Sequence, residues 1–75
     1  MSDTLISMDY RFVDILNADQ LEVGDLIGLG IIGIVKIFSI TPTKDGFTLV
    51  IENEFDEKED VEIFDNEKFE LYLLN

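Results

Sequence analysis

Cysteine and histidine are both absent from this chain of 75 residues. The first absence removes disulfides and thiolate chemistry. The second removes the side chain whose ordinary pKa suits proton transfer near neutral pH. Ser2, Ser7 and Ser39 have no visible activating base, and paired carboxylates serve acid–base chemistry only where burial drives their pKa values apart. With no nucleophile, base and orienting group to assemble, the expectation is a protein that is not an enzyme. Basic residues are also scarce: 5 Lys and Arg stand against 17 Asp and Glu, a formal charge of −12. A field of that sign repels phosphate backbones and anionic lipid headgroups and favours basic protein surfaces, so the expected partner is a protein, not a nucleic acid or a membrane. No apolar run nears the roughly 18 residues of a membrane span, and Met1 to Met8 has no basic segment ahead of an apolar one. A soluble, cytoplasmic chain is the expectation.

Hydrophobic residues make up 47% of the sequence, too many for intrinsic disorder despite the charge. A chain of this size buries only about 60% of its unfolded surface, so the core must be small. Residues 1–8 show no apolar period and read as an N-terminal arm, leaving 9–75 as a single domain. Tyr10 to Leu16, rich in Tyr, Phe, Val and Ile, reads as a first strand, with a short helical turn after it capped by Asn17. The centre of the pattern is Gly28 to Glu54: a β-branched run, the turn dipeptide Asp45-Gly46, and an alternating run in which Phe47, Leu49 and Ile51 share one face. A two-residue loop at Asp45-Gly46 pairs Lys44 with Phe47, Ile40 with Ile51 and Phe38 with Asn53. A three-residue loop at Asp56-Glu57-Lys58 pairs Ile51 with Ile63 and Asn53 with Val61. Asp65-Asn66-Glu67 makes a further turn, and Phe69 to Leu73 is a last alternating strand.

Leu21-Glu22-Val23-Gly24-Asp25 places two apolar anchors before a Gly-Asp turn that launches a strand. On that motif and the meander after it, the chain resembles the SH3-like barrel group over Leu21 to Leu73. Within that group it is similar to small acidic proteins of unknown role from bacteriophages and mobile elements. The resemblance implies an all-β fold, a small SH3-like barrel with a three-stranded antiparallel meander from Ile31 to Phe64 and a final strand.

Three constellations bear on function. Gly28-Leu29-Gly30-Ile31-Ile32-Gly33 spells a dinucleotide fingerprint, but the β-branched Ile34-Val35-Lys36-Ile37-Phe38 that follows is strand, not the helix that would hold a pyrophosphate. Glycines in that setting mark a bulge, a corner or a close backbone approach, and no cofactor is expected. Glu52, Glu54, Asp56, Glu57, Glu59, Asp60 and Glu62 crowd seven carboxylates into eleven residues. They read as a solvated, edge-protecting face or as an acidic partner surface, with Glu52, Glu54, Asp56, Asp60 and Glu62 as its members; the register sets Glu54 against Asp60 and Glu52 against Glu62. The spacing lacks the ligand alternation of an EF-hand, so no metal site is expected. Val35, Ile37, Val50 and Phe64 fall on the face away from Phe38, Ile40, Leu49, Ile51 and Ile63, an apolar outer face. Three coverings suit it: the first strand, a parity shift from a bulge at Gly33, or a partner or second copy. Lys36 becomes the one charge on the inner row, at the barrel rim. Together these features describe a phage or bacterial adaptor or assembly component, or alternatively an acidic DNA-mimic inhibitor of a host nucleic-acid-binding enzyme.

Overall fold

The computed structural model describes residues 10–53 and 55–74; the 1–8 arm and Glu54 lie outside the described residues. Six strands form one antiparallel sheet: β1 (Tyr10–Asn17), β2 (Leu26–Gly28), β3 (Ile34–Pro42), β4 (Gly46–Glu52), β5 (Lys58–Phe64) and β6 (Lys68–Leu74). Their order is β1-β6-β2-β3-β4-β5. The fold is all-β, as the alternating pattern requires, and the sheet is open: β1 and β5 are its two edges and do not pair. The meander begins at Ile34, because Gly30–Ile32 is a single 3₁₀ turn closed by Gly33 at φ 96°.

The core gathers Ala18, Leu21, Ile27, Val35, Ile37, Leu49, Ile51, Ile63 and Phe69, with Leu16, Leu29, Ile40, Phe47, Val61 and Leu71 around it. Ile27, Val35, Ile37, Leu49 and Ile51 are the most completely enclosed, each worth about 1.5–3 kcal/mol of transfer free energy. Two of these five overturn an expectation. Val35 and Ile37 belong to the core, not to an outer apolar face, and Phe38 is the residue turned outward. The cause is a bulge: Ile37 pairs with Ile51 and Ser39 with Val50, leaving Phe38 as the extra residue. One inserted residue reverses parity for everything on one side of it. The shift occurs at Phe38, not at Gly33, and it also carries Lys36 to the outer face, opposite Glu52.

What holds the bulge is the Leu21–Asp25 turn. The Gly24 N–H donates to the Ile37 carbonyl (2.8 Å) and the Ile37 N–H donates to the Asp25 carbonyl (2.9 Å). Gly24 sits at φ 97°, a conformation glycine adopts without strain, and the Asp25 carboxylate accepts from the Glu22 N–H at 2.9 Å. Leu21 anchors this turn in the core, whereas Val23 is exposed and anchors nothing.

Both hairpin registers differ from the expected ones by an even number. Pro42, not Lys44, pairs with Phe47, because the Thr43 N–H donates to the Gly46 carbonyl (2.9 Å) and closes a longer turn. In the second hairpin Glu52 pairs with Lys58, Leu49 with Val61 and Phe47 with Ile63. The loop there includes Asn53, whose Oδ1 accepts from the N–H groups of Phe55 (2.8 Å) and Glu57 (3.1 Å). Even slips preserve sidedness, so Leu49, Ile51 and Ile63 remain inside.

Candidate functional site

Directly opposed residues of an antiparallel sheet share a face, so the outer surface can be written out row by row. One row runs Phe12, Tyr72, Leu26, Lys36, Glu52, Lys58 across all six strands. Here the expected opposition of like charges dissolves. Glu52 lies between two lysines and pairs with Lys58 (Nζ to Oε2 3.8 Å), and the Lys58 ammonium also stands 4.5 Å from the centre of the Phe38 ring. Val50 faces Asp60 and Thr48 faces Glu62. No facing pair of carboxylates occurs in this hairpin among the described residues.

Of the acidic face read from sequence, Asp60 and Glu62 alternate along the outward side of β5, Asp56 lies in the β4–β5 loop at φ 62°, and Glu52 is neutralised by its row. No group of three or more carboxylates is arranged to hold a metal ion among the described residues. The acidity concentrates at the β5 edge, where three of seven residues, Glu59, Asp60 and Glu62, are carboxylates beside Lys58. Glu59 shares the core face at its rim, opposite Ile51, and an inward-pointing charge of this kind blunts an edge against unwanted pairing.

The glycine run has a different role. A Cβ on Gly28 would meet the Tyr72 ring at 3.3 Å and the Glu70 carboxylate at 3.6 Å. Its missing side chain is thus the floor on which an aromatic ring rests. Gly28, Gly30, Gly33, Ile34, Lys68, Phe69, Glu70 and Tyr72 line a depression here. The Tyr72 hydroxyl donates to Glu70, and that bond, with desolvation and the nearby negative charge, raises the Tyr72 pKa above its ordinary value. Neither phosphate nor pyrophosphate is invited by a carboxylate at this position.

Of the outer apolar set, Val50 is half-buried and Phe64 exposed on the outward side, while Val35 and Ile37 are enclosed. The larger apolar surface lies where the alternation of Tyr10 to Leu16 gave no side to prefer. Among the described residues β1 pairs only with β6, and Phe12, Val13, Ile15, Leu73 and Leu74 are all exposed along that ribbon. Phe12 packs edge-to-face on Tyr72, with ring centres 6.1 Å apart. The first strand therefore does not cover the outer face; it extends the sheet. Its apolar residues, interrupted by Arg11 and Asp14 without strict alternation, were the signal available in the sequence.

Compared with known proteins, the chain matches no family model, no curated protein and no solved structure.

Proposed function

We propose that this chain is a non-enzymatic protein-interaction module, an adaptor or assembly component of phage or bacterial type working in the cytoplasm, with the β1–β6 ribbon as its main contact surface. The observation that carries this reading is the exposed apolar side chains of Phe12, Ile15 and Leu74, which share the outer face of neighbouring strands, with Val13 exposed at the bulge beside them and Leu73 exposed on the other face. Contiguous apolar surface of this kind marks interaction sites. The acidic β5 edge, with Asp56, Asp60 and Glu62, supplies a second surface suited to a basic protein. We read the fold as kin to SH3-like barrels. In support stand the Leu21–Asp25 turn docked on β3, the β3-β4-β5 meander, and a last strand returning to pair with β1 and β2.

The acidic edge also favours a second reading, a mimic of the DNA phosphate array. Salt separates the two. Capture of host proteins through the ribbon should persist at high salt and be lost in a Phe12→Ser, Ile15→Ser double variant. Capture through the acidic edge should fall steeply with salt and survive that variant. Capture that is indifferent to both salt and the double variant overturns both readings.

A further inference from the structure

We propose that the partner of the β1 edge is the β1 edge of a second copy, paired antiparallel about a two-fold axis in a register that sets Arg11 against Asp14 of the other copy. This rests on the ribbon being a contact surface and goes on to name its occupant.

Three observations lead to it. The first is the contrast between the two edges. β5 carries Lys58, Glu59, Asp60 and Glu62, whereas β1 carries only Arg11 and Asp14 among eight residues, so β1 is the less defended edge and the better suited to strand addition. The second is charge. Within β1, Arg11 offsets Asp14, and within the neighbouring β6, Lys68 offsets Glu70. The ribbon is neutral on a chain of net charge −12, and it lies at the opposite side of the sheet from acidic β5. A basic partner is drawn to β5, and two copies of so acidic a chain meet with least repulsion along β1.

The third is the bulge in β1. Phe12 pairs with Tyr72 and Asp14 with Leu71, leaving Val13 as the extra residue. In an unbroken strand Arg11 and Asp14 would point to opposite faces. The bulge puts both on one face, Arg11 opposite Leu73 and Asp14 opposite Leu71, while Tyr10, Phe12 and Ile15 share the other face with Leu74, Tyr72 and Glu70. A two-fold axis perpendicular to the sheet, passing between Phe12 and Val13, keeps each face continuous across the junction. It sets Arg11 opposite Asp14 of the second copy, twice over, with Tyr10 opposite Ile15 and Phe12 opposite Val13. The surface is self-complementary, as a two-fold interface must be.

Sedimentation velocity on the full chain, from micromolar to about 1 mM, reads the outcome, because a single strand edge gives affinity toward the weak end of the scale. Arg11→Asp alone and Asp14→Arg alone each turn two attractive pairs into repulsive ones and should raise the dimer dissociation constant roughly tenfold or more. The double variant should recover the dimer, and an equimolar mixture of the two single variants should form a heterodimer. Circular dichroism establishes that each variant is folded; if one single variant is not, the double variant against wild type decides alone. A monomeric wild-type chain throughout that range overturns the proposal, as do single variants that dimerise normally or a double variant that fails to recover. A monomer would leave the reading of the ribbon as a surface for other proteins standing, since the salt and serine-variant captures test that separately.

Discussion

Ile37 and Phe38 are adjacent in sequence and opposite in fate, so truncating each in turn tests the β3 bulge directly. Ile37 is 0% exposed and Phe38 52%. Ile37→Ala removes three carbons from an enclosed site whose neighbours are held by sheet hydrogen bonds, and large-to-small changes there cost about 2–5 kcal/mol. Phe38→Ala removes the larger side chain, but half of it is already in water. Half the transfer value of a phenylalanine is about 1 kcal/mol, and the Lys58 contact adds about 0.5 kcal/mol at so exposed a position. Ile37→Ala should therefore cost about 0.5–3.5 kcal/mol more than Phe38→Ala. A chain of this length has only about 4–11 kcal/mol in total, so Ile37→Val, at about 0.5–1.5 kcal/mol, provides a milder step along the same axis. Urea unfolding followed by circular dichroism measures all three; at about 1 kcal/mol per molar urea the Ile37→Ala and Phe38→Ala midpoints separate by about 0.5 M or more. A Phe38→Ala midpoint at or below that of Ile37→Ala would show that β3 is unbulged and that the core contains Phe38.

Gly46→Ala should destabilise by about 1–3 kcal/mol or prevent folding, because the added Cβ would sit 2.0 Å from the Ile63 carbonyl oxygen, a backbone atom; an unchanged unfolding midpoint refutes the close approach. Added salt should raise the melting temperature by screening self-repulsion at net charge −12, and a flat or falling value between low and moderate salt contradicts that. Tyr72 should titrate above the ordinary tyrosine value in a Tyr10→Phe background, with Glu70→Ala returning it downward, as read by tyrosinate absorbance. Since the folded-state pKa is the raised one, the contribution of this bond to stability is full below the ordinary tyrosine range. It is lost as pH rises through the raised value, and a midpoint unmoved by Glu70→Ala removes the hydrogen bond from the account.

Strand existence was legible because it is written in short-range alternation: β4, β5 and β6 announce themselves through Leu49 and Ile51, Val61 and Ile63, Phe69 and Leu71. Turn lengths were less legible. The Thr43–Gly46 and Asn53–Glu57 hydrogen bonds lengthened both loops, yet by even steps that an alternating pattern cannot feel. What the pattern could not carry was the odd step at Phe38. That bulge is fixed by Gly24 and Asp25 gripping Ile37 from a turn more than ten residues earlier, a contact no local window contains. The consequence fell on the candidate site, since Val35 and Ile37 moved from surface to core and Lys36 from the inner row to the outer. The β1 edge was missed for a related reason: Tyr10 to Leu16 looks like any apolar strand, and only the pairing order shows that no strand among the described residues lies beyond it.

The placement of β6 between β1 and β2 sets a schedule for synthesis on the ribosome. The β2-to-β5 meander can zip up by local steps as it emerges, but Tyr10–Asn17 has no neighbour until Lys68–Leu74 has been made. The first strand must wait while residues 18–67 are made, with its aromatic residues uncovered, and its pairing is a long-range closure of the kind that slows β proteins. A nascent chain stalled before Lys68 should hold the meander while leaving its beginning open to protease.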